Sequence, residues 1–558
     1  MVEGVGFNAP GLPMSTSFRI EHRDWAIAAV VFAASLALRV PWRSTAPFHW
    51  DTAQFALAVQ HFDVTRSQPH APGFFLYVML GRLVNLALHD PHASLVWVSA
   101  TAGSAMAALG FLLGTVLFWR GCGLAVAVIL ATGPLAWFHS ELALTTALDG
   151  ALVTGLALAC VVTIRRAGRW RDVTVVSVLL ALVAANRPQT AVTASPMVLF
   201  ALSRCPLPRA PRVAATAVMT AVGCVAWFVP LTAMSGGVRI YLETLSAKGR
   251  FDMHFSPWRA GWRAAGAHAT FIAWSCLSGL LLAAPLGAVE WLRRWWQMPR
   301  TPQGSGRTER GEAVTLLACW VVPMLVLGVV VHTLQPGYVL AYLPALAVLC
   351  GLGLAGGSES LARRPTRAEV RRAQSPREVS GKARLAILLA VIAAFNSVVF
   401  LVPPRWASGL IGPWMMTAPA LRGDGRRLEA AVGAIARDYK AERTVIMHRS
   451  EAIWWGFRQF QYQLPHFRNV MLTWDDALPG ELSRMLWIGH EGRTTFQRDF
   501  ELDDSQTALL VVPPGDPPAA WWPGVDFTGA KVVPETAGSV YEVTPAKVRA
   551  AWSRLWPR

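Results

Sequence analysis

An aspartate and two histidines lie in the loop that follows the first long apolar segment of the sequence. The loop begins with His49-Trp50-Asp51, and Gln68-Pro69-His70-Ala71-Pro72-Gly73 follows after a short spacer. If the apolar segment crosses a membrane, these ionisable groups lie at its edge, where they are costly to place and are therefore candidates for function. A carboxylate at such an edge is suited to act as a general base. The sequence thus makes Asp51 the first candidate for a catalytic residue.

The composition indicates that the chain is a membrane protein. Its 558 residues are 53% hydrophobic and 15% charged, whereas soluble domains carry about 25% charged residues. Apolar runs recur along the chain with about the length that crosses a bilayer. The runs lie at 24–41, 93–118, 122–138, 142–164, 172–186, 189–203, 213–234, 264–292, 313–332, 338–357 and 384–402. They predict an all-α, multi-pass integral membrane protein with about eleven spans.

The positive charges indicate how the chain is oriented. The formal net charge is +17, and the Lys and Arg residues concentrate in alternate loops, as cytoplasmic loops do. The basic loops are 165–171, 204–212, 293–312 and 358–384; the intervening loops 139–141, 186–188 and 332–337 hold one arginine, Arg187. This pattern predicts a cytoplasmic N-terminus, an extracytoplasmic C-terminus and contact with membrane lipids. Topology accounts for the basic loops, so nucleic acid is not an expected partner.

Two further parts of the chain are predicted to lie outside the membrane. The first outer loop, 42–92, has apolar positions at helical spacing in Thr52–Phe62 and Phe74–Leu88, which predicts amphipathic helices along the interface. The long apolar runs end near residue 402, and 403–558 forms a different region. There, β-like stretches at 444–447, 509–512 and 538–543 alternate with helical patterns at 426–439 and 546–555. We therefore predict a transmembrane domain over 1–402 and a small extracytoplasmic α/β domain over 403–558.

Cations on the outer face are candidates for binding phosphate. Arg187 is the only cation in its short loop, and arginine holds phosphate oxygens with a planar fork that is always charged. Arg239, Lys248 and Arg250 in the next outer loop are further candidates. The remaining candidates for substrate binding on this face are His49, Gln54, His70, Tyr77, Arg82, His139 and Glu141.

Each of these residues also has a purely structural interpretation. Asp51 is a favoured residue type for the N-cap of the helix that follows it. His70 can shape the Pro-rich turn, and Arg187-Pro188 can be a simple turn between short helices. Glu141 can begin the next helix, where an acid matches the helix dipole. Only their combination on one face favours chemistry.

The first outer loop resembles that of the GT-C-type membrane glycosyltransferases, most closely the branch of protein O-mannosyltransferase-like proteins. The resemblance rests on residues 49–55, on 68–77 and on Gly81-Arg82. Members of that branch carry an aspartate after the first span, then a His-Pro-Pro-Gly-like turn and an aromatic-rich helix. This chain departs from the pattern with Ala71 in the turn and with Thr52 where many relatives have a second acid. Weaker likenesses involve 138–149, 186–188 and 457–465.

The resemblance implies a function. It implies transfer of a sugar from a polyprenyl-phosphate donor with inversion, on the outer face of the membrane, with Asp51 as the base. It also implies a protein, a lipid or an envelope glycan as the acceptor, and this location predicts a bacterial inner membrane. Some GT-C enzymes use a divalent metal; because Asp51 is the only acid in the 49–55 block, we expect none here and no other cofactor. A sugar-lipid transporter or flippase, and a catalytically inactive GT-C-like scaffold, remain alternatives.

Overall fold

The structure, a computed structural model, is mainly helical. It describes residues 18–206, 208–297, 306–331, 335–355, 376–403, 417–450, 455–473 and 485–556. Most of the basic loop at 358–384 and part of the outer loop at 332–337 lie outside these residues. Up to Leu401 the helices are α1 (His22–Arg39), α2 (Trp50–Gln60), α3 (Phe75–Leu88), α4 (Pro91–Leu117), α5 (Arg120–Thr132), α6 (Pro134–His139), α7 (Thr146–Arg165), α8 (Trp170–Asn186), α9 (Pro188–Ser203), α10 (Ala210–Met234), α11 (Val238–Met253), α12 (Pro257–Ala260), α13 (Trp262–Leu280), α14 (Ala283–Gln297), α15 (Gly306–Val330), α16 (Leu343–Ala355) and α17 (Pro376–Leu401).

The predicted fold class is confirmed, but the count of eleven spans is not. Within the described residues, six helices are long and apolar enough to cross a membrane, or seven if one bent pair counts as a single span. That pair is α13 and α14, which meet at 85° where a single span over 264–292 was predicted. The run at 122–138 also divides, because Gly133 and Pro134 separate α5 from α6. The sequence shows the apolar length of these runs but not their bends.

Helices α4 and α7 form the centre of the membrane part. In each, 78% of the most apolar stretch is buried inside the protein, against 6% in α10. Small residues allow close packing here: a Cβ added at Gly110 of α4 would lie 2.8 Å from the Leu130 side chain of α5. Helices α10, α15 and α17 present apolar side chains outwards, including Val222, Val322 and Val391. Such surfaces suit a lipid surrounding.

The two helices of the first outer loop differ from the prediction in one respect. Helix α3 does expose apolar side chains, since Leu83 and Leu86 are 63% and 75% exposed. Helix α2 is not an amphipathic surface helix, because every residue from Thr52 to Val59 is buried. It lies between α3, α4 and the C-terminal domain. Burial fixes the position of the segment that carries Asp51.

The C-terminal region folds as a small α/β domain, as predicted. Its helices are α18 (Ala418–Asp438), α19 (Phe457–Gln463), α20 (Pro518–Trp521) and α21 (Pro545–Leu555). Its strands are β1 (Thr444–Arg449), β2 (Arg468–Leu472), β3 (Leu486–His490), β4 (Arg493–Gln497), β5 (Thr507–Val511), β6 (Lys531–Val532) and β7 (Val540–Val543). They form one sheet in the order β4-β3-β2-β1-β5-β7-β6. Strand β1 is parallel to β2 and β5, and the other pairs are antiparallel.

Candidate active site

Asp51 lies in the first turn of α2, and another residue caps that helix. The N-cap is His49, whose Nδ1 accepts a hydrogen bond from the Asp51 backbone N–H over 3.1 Å. Thr52 completes the cap, since its Oγ1 accepts from the His49 N–H. The carboxylate of Asp51 is therefore not used for capping and remains available for other contacts.

The Asp51 carboxylate is held by neighbours from distant parts of the chain. Gln335 donates from Nε2 to Asp51 Oδ2 over 2.6 Å, and His70 Nδ1 lies 3.6 Å from Oδ1. Burial raises the pKa of Asp51, but His70, His49, the Gln335 hydrogen bond and Lys248 together outweigh burial, and the pKa lies below its ordinary value. Asp51 is thus ionised at neutral pH, as a general base must be.

His70 is a neutral group beside this carboxylate. Burial lowers the pKa of His70 to about 4, against the raising effect of Asp51. Its Nδ1 donates to Oε1 of Gln54 over 2.7 Å, which fixes the ring. The turn that carries it needs Gly73, which has φ +100° and would place a Cβ 3.0 Å from side-chain atoms of Leu231 and Val64. The Pro/Gly turn therefore places His70 beside Asp51.

A cavity of about 530 Å³ lies next to His70. The Pro/Gly turn, the α8–α9 junction, helix α11 and the apolar sides of α13 and α15 form its walls. Its polar and charged lining residues are His70, Asp149, Arg187, Gln189, Thr190, Thr193, Tyr241, Lys248, Asp252, Tyr338 and Tyr342. The cavity is large enough for a small polar group, and its walls are apolar on one side. Such a combination is typical of a ligand site.

Arg187 enters this cavity from the α8–α9 junction. It is only 6% exposed, and its guanidinium lies 4.2 Å from the ring centroid of Tyr338 and 5.7 Å from that of Phe74. Its Nε has no hydrogen-bond partner among the described residues. Stacking on two rings holds the planar cation in place while leaving a donor for an anion.

Lys248 supplies a second cation to the same cavity. It lies on α11, pairs with Asp252 of the same helix and lines the cavity. Tyr241 of this helix donates from its hydroxyl to the Pro72 carbonyl oxygen over 3.1 Å. This hydrogen bond joins α11 to the turn of His70. A phosphate in the cavity would compete with Asp252 for the Lys248 ammonium.

Asp149 is a second carboxylate that lines the same cavity. It is 1% exposed and accepts hydrogen bonds from Thr190 Oγ1, at 2.9 Å, and Asn186 Nδ2, at 3.3 Å. These partners flank Arg187 in sequence. Asp149 therefore ties α7 to the α8–α9 junction and helps to hold the junction that carries the cation.

Two of the predicted binding residues have structural contacts instead. The Tyr77 hydroxyl is buried and donates to the Leu95 carbonyl, with Ser99 Oγ 2.8 Å away, so it joins α3 to α4. Arg82 donates to the carbonyl oxygens of Ala58 and Val59 at the end of α2. Neither residue lines the cavity. The contacts of both side chains therefore stabilise the packing of α2, α3 and α4.

His139 and Glu141 are buried and do not contact the cavity. His139 packs against Gly337, where an added Cβ would come within 2.5 Å of its ring. Glu141 accepts from Trp137 Nε1 over 2.7 Å and is fully buried. Helix α7 begins only at Thr146, so Glu141 does not start that helix. Neither side chain lines the cavity.

The other two cations of the second outer loop lie on the surface. The Arg239 side chain is 91% exposed and pairs with Glu243. Arg250 is also exposed and donates to Ser246 Oγ over 2.8 Å. Of the three cations predicted on this loop, only Lys248 lines the cavity. Helical geometry separates them, since side chains two or nine residues apart need not share a face with Lys248.

The side chains near the site do not form a recognisable metal centre. Among the residues that the structure describes, no group of three or more His, Cys, Asp or Glu side chains has the arrangement to hold a metal ion. The seven cysteines are free thiols, buried or half-buried. The expectation about metal dependence stays a prediction.

Sequence reasoning missed Gln335 and Tyr338 altogether. Both lie at a short 3-10 turn, Pro336–Ala341. The sequence predicts this stretch as the end of an outer loop. The one available signal was a polar residue and a tyrosine around Pro336-Gly337, directly before an apolar run. Only the packing of this turn against α6 and α7 brings Gln335 to Asp51 and Tyr338 to Arg187.

No protein-family model matches the chain, and no curated protein matches its sequence. Among solved structures, it is similar to ArnT from Cupriavidus metallidurans bound to undecaprenyl phosphate, with a TM-score of 0.54 and 13% identity over 94% of this chain and 97% of that one. The apo state of the same protein gives a TM-score of 0.53 with the same coverage of both chains. The chain has the GT-C fold. An oligosaccharyltransferase from Archaeoglobus fulgidus is a looser likeness, with a TM-score of 0.45 and 12% identity over 82% of this chain and 65% of that one.

The likeness to ArnT covers both the membrane part and the C-terminal domain. A long first outer loop lies on a helical membrane part, and the C-terminal domain covers the same face. The likeness to ArnT extends over nearly the whole of both chains, so the domain order is part of the shared fold. At 13% identity it shows the fold alone, and the predicted O-mannosyltransferase-like branch stays a prediction.

Proposed function

We propose that this protein is a membrane glycosyltransferase that moves a sugar from a polyprenyl-phosphate donor to an acceptor hydroxyl on the outer face of the membrane. One observation carries the proposal: the Asp51 carboxylate lies 3.6 Å from His70, which lines a cavity that also holds two cations, Arg187 and Lys248. This is the set of groups that the reaction needs. A base must accept the proton of the acceptor, and cations must hold the phosphate that leaves.

The chemistry is a single displacement. Asp51 accepts the proton of the acceptor hydroxyl as its oxygen forms a bond to the anomeric carbon of the sugar. The bond from that carbon to the phosphate oxygen breaks, and the electron pair leaves with the polyprenyl phosphate. Attack opposite the leaving group inverts the anomeric carbon, so we propose an inverting enzyme.

The phosphate has a specific place in this proposal. Arg187 presents an Nε without a partner among the described residues, and Lys248 lines the same cavity, with Asp252 as its ion-pair partner. Because these two cations can neutralise the leaving group, we propose that transfer needs no bound metal. A chelator should leave the rate unchanged.

The comparison supports the class of donor. The ArnT structure of the same fold contains undecaprenyl phosphate, a polyprenyl phosphate. The apolar sides of α13 and α15 give the cavity a wall along which an isoprenoid chain can lie. We propose that the acceptor is a glycan, lipid or protein of the bacterial envelope.

The test compares the host cell with and without the gene by mass spectrometry of lipid-linked sugars and envelope glycans. We expect the donor to accumulate and one glycan to lose a residue in the deletion. The wild-type gene should reverse both changes, while Asp51→Asn should not, because loss of a general base costs about 10²–10⁴-fold in rate. The amide introduced by this substitution keeps the shape of the carboxylate and can still accept the Gln335 hydrogen bond.

Asp90→Asn is the matched control. Asp90 lies in the same outer loop and caps α4 through the Ala93 N–H, a role that asparagine fills equally well. This variant should restore the glycan fully. Full activity of Asp51→Asn, or movement of a sugar lipid across vesicles without transfer, would overturn the proposal and favour the transporter alternative.

A further inference from the structure

Arg458 of the C-terminal domain is a fully buried cation without a carboxylate partner among the described residues. Its side chain is 0% exposed, and no ion pair to it occurs in the described part of the chain. Burial lowers the pKa of Arg458 to about 9, so it is charged at neutral pH. A buried charge is costly, and a neutral core of the same shape is often at least as stable. Stability alone therefore does not account for Arg458.

The contacts of Arg458 lead from the C-terminal domain to the first outer loop. One terminal nitrogen donates to the carbonyl oxygen of Arg66 over 2.8 Å. The other donates to Gln461 Oε1 and Thr494 Oγ1, at 2.9 and 2.6 Å, within its own domain. The guanidinium thus joins two parts of the chain that are nearly 400 residues apart in sequence.

The same guanidinium lies among aromatic rings. Its central carbon is 5.7 Å from the ring centroid of Trp50, 5.1 Å from that of Trp487 and 5.3 Å from that of Phe457. The Trp50 ring also contacts the other two rings, with centroids 6.4 Å apart in each case. Trp50 is the residue before Asp51. The C-terminal domain therefore contacts the residue that directly precedes Asp51.

A second contact holds the segment that carries the histidine. Gln68, two residues before His70, is 1% exposed and donates to the Gly492 carbonyl oxygen over 2.7 Å. Gly492 lies in the turn between β3 and β4, two residues before Thr494. Asp51 and His70 are thus each attached, through a near neighbour, to the same part of the C-terminal domain.

We propose that Arg458 is a positioning residue, which fixes Asp51 relative to His70 through Trp50 and the Arg66 carbonyl. On this proposal the C-terminal domain forms part of the active-site scaffold. The idea rests on the proposed transferase function for its kinetic consequence only. The physical coupling between the domain and the loop is independent of the reaction.

The test uses the full-length protein in detergent or nanodiscs, with three measurements on Arg458→Gln. Hydrogen exchange by mass spectrometry should become faster in peptides covering 44–70 and remain slow in α4 and α7. Binding of undecaprenyl phosphate should stay within about twofold, because Arg187 and Lys248 are untouched. Turnover with lipid-linked sugars extracted from host membranes should fall by about tenfold or more, since small misplacement of a catalytic group costs up to about 10²-fold.

Two further variants keep the test decisive. Arg458→Lys retains the charge but loses the planar fork. Its exchange rates at 44–70 and its turnover should therefore lie between those of wild type and Arg458→Gln. Trp50→Leu removes the ring and leaves the hydrogen bonds of Arg458 in place; it should accelerate exchange at 44–70 in the same way. If Arg458→Gln does not fold, the measurements are made on these two variants instead.

Arg468→Gln is the matched control. Arg468 lies in the same domain, with its guanidinium 4.7 Å from the Phe500 ring centroid, and makes no contact with the first outer loop among the described residues. This variant should leave all three readouts unchanged. The proposal is overturned if exchange at 44–70 is unchanged in Arg458→Gln, or if lipid binding falls in parallel with turnover. If the wild type transfers no sugar, the proposed function fails while the exchange data still decide the coupling.

Discussion

At the scale of single residues, the site combines a carboxylate that stays ionised with a histidine that stays neutral. Asp51 has a lowered pKa although burial alone would raise it, and burial keeps the pKa of His70 at about 4. A neutral His70 can accept or donate one hydrogen bond but adds no charge. The Gln335 hydrogen bond and the Lys248 ammonium, which belong to other elements, also favour the ionised form of Asp51.

These shifts predict the pH dependence of the rate. Asp51 loses its basic form only as the pH falls through its folded pKa, which lies below the ordinary value of 3.8. His70 charges only near pH 4. The rate constant for transfer should therefore be constant within about twofold from about pH 5 to pH 8, measured with membranes and a saturating donor extract. An acid limb with a midpoint between about pH 6 and 7 that disappears in His70→Gln would contradict the neutral histidine.

At the scale of secondary-structure elements, α11 and the α8–α9 junction each bring one cation to the cavity. Helix α11 has a single buried residue, Tyr241, and this residue holds the helix to the Pro72 carbonyl. Lys248 faces the cavity because it lies seven residues, or two turns, after Tyr241 on the same face. Arg239, two residues before Tyr241, points to solvent.

This difference predicts which arginine or lysine binds the phosphate. Lys248→Gln should weaken the binding of undecaprenyl phosphate by about tenfold, the value of one hydrogen bond to a charged group. Arg187→Gln should weaken it at least as much. Arg239→Gln, on the same helix as Lys248, is the control and should bind as wild type. Native mass spectrometry or fluorescence titration measures the three affinities.

Undecaprenol, which lacks the phosphate, separates the two parts of the ligand in the same experiment. It should bind weakly to all variants and should not distinguish them. Equal losses of affinity for undecaprenol would mean that these side chains act on the isoprenoid chain or on the fold of the protein. Equal losses in Arg239→Gln would mean that general surface charge, and not the cavity, attracts the lipid.

At the scale of the whole molecule, the C-terminal domain and the first outer loop lie on one face. Gln68 bonds to Gly492, and the Tyr462 hydroxyl accepts from the His92 backbone N–H at the start of α4. Thr45 and Glu429 add a third contact. The proposed orientation then places the whole assembly outside the cytoplasm, since the basic loops at 165–171 and 204–212 lie at the other ends of the helices.

This orientation predicts a labelling pattern in spheroplasts. Cysteines introduced by Ser505→Cys and Arg239→Cys should react with a membrane-impermeant maleimide from outside. Arg171→Cys, at the start of α8, should react only after permeabilisation. The unsubstituted chain gives the background of the native thiols. The reverse pattern would contradict the orientation, and labelling of Ser505→Cys and Arg171→Cys from one side would contradict the shared face.

The sequence by itself determined the features that depend on local composition and spacing. The apolar runs are helices because about 20 apolar residues are stable in a bilayer only when the backbone bonds within itself. The β-like stretches near 444, 509 and 540 are strands β1, β5 and β7, since β-branched and aliphatic residues favour a half-buried sheet. The loop at 49–77 was recognisable as the candidate site from its residue types alone.

Only the tertiary structure decided which polar side chains meet. Gln335 is 284 residues from its partner Asp51, and no local pattern encodes that contact. The cations Lys248 and Arg239 look alike in the sequence, yet helix phase puts one in the cavity and the other in solvent. Tyr77 and Arg82 match the pattern of the loop but serve packing. Long-range contacts depend on how buried helices pack, and that packing is a property of the whole chain.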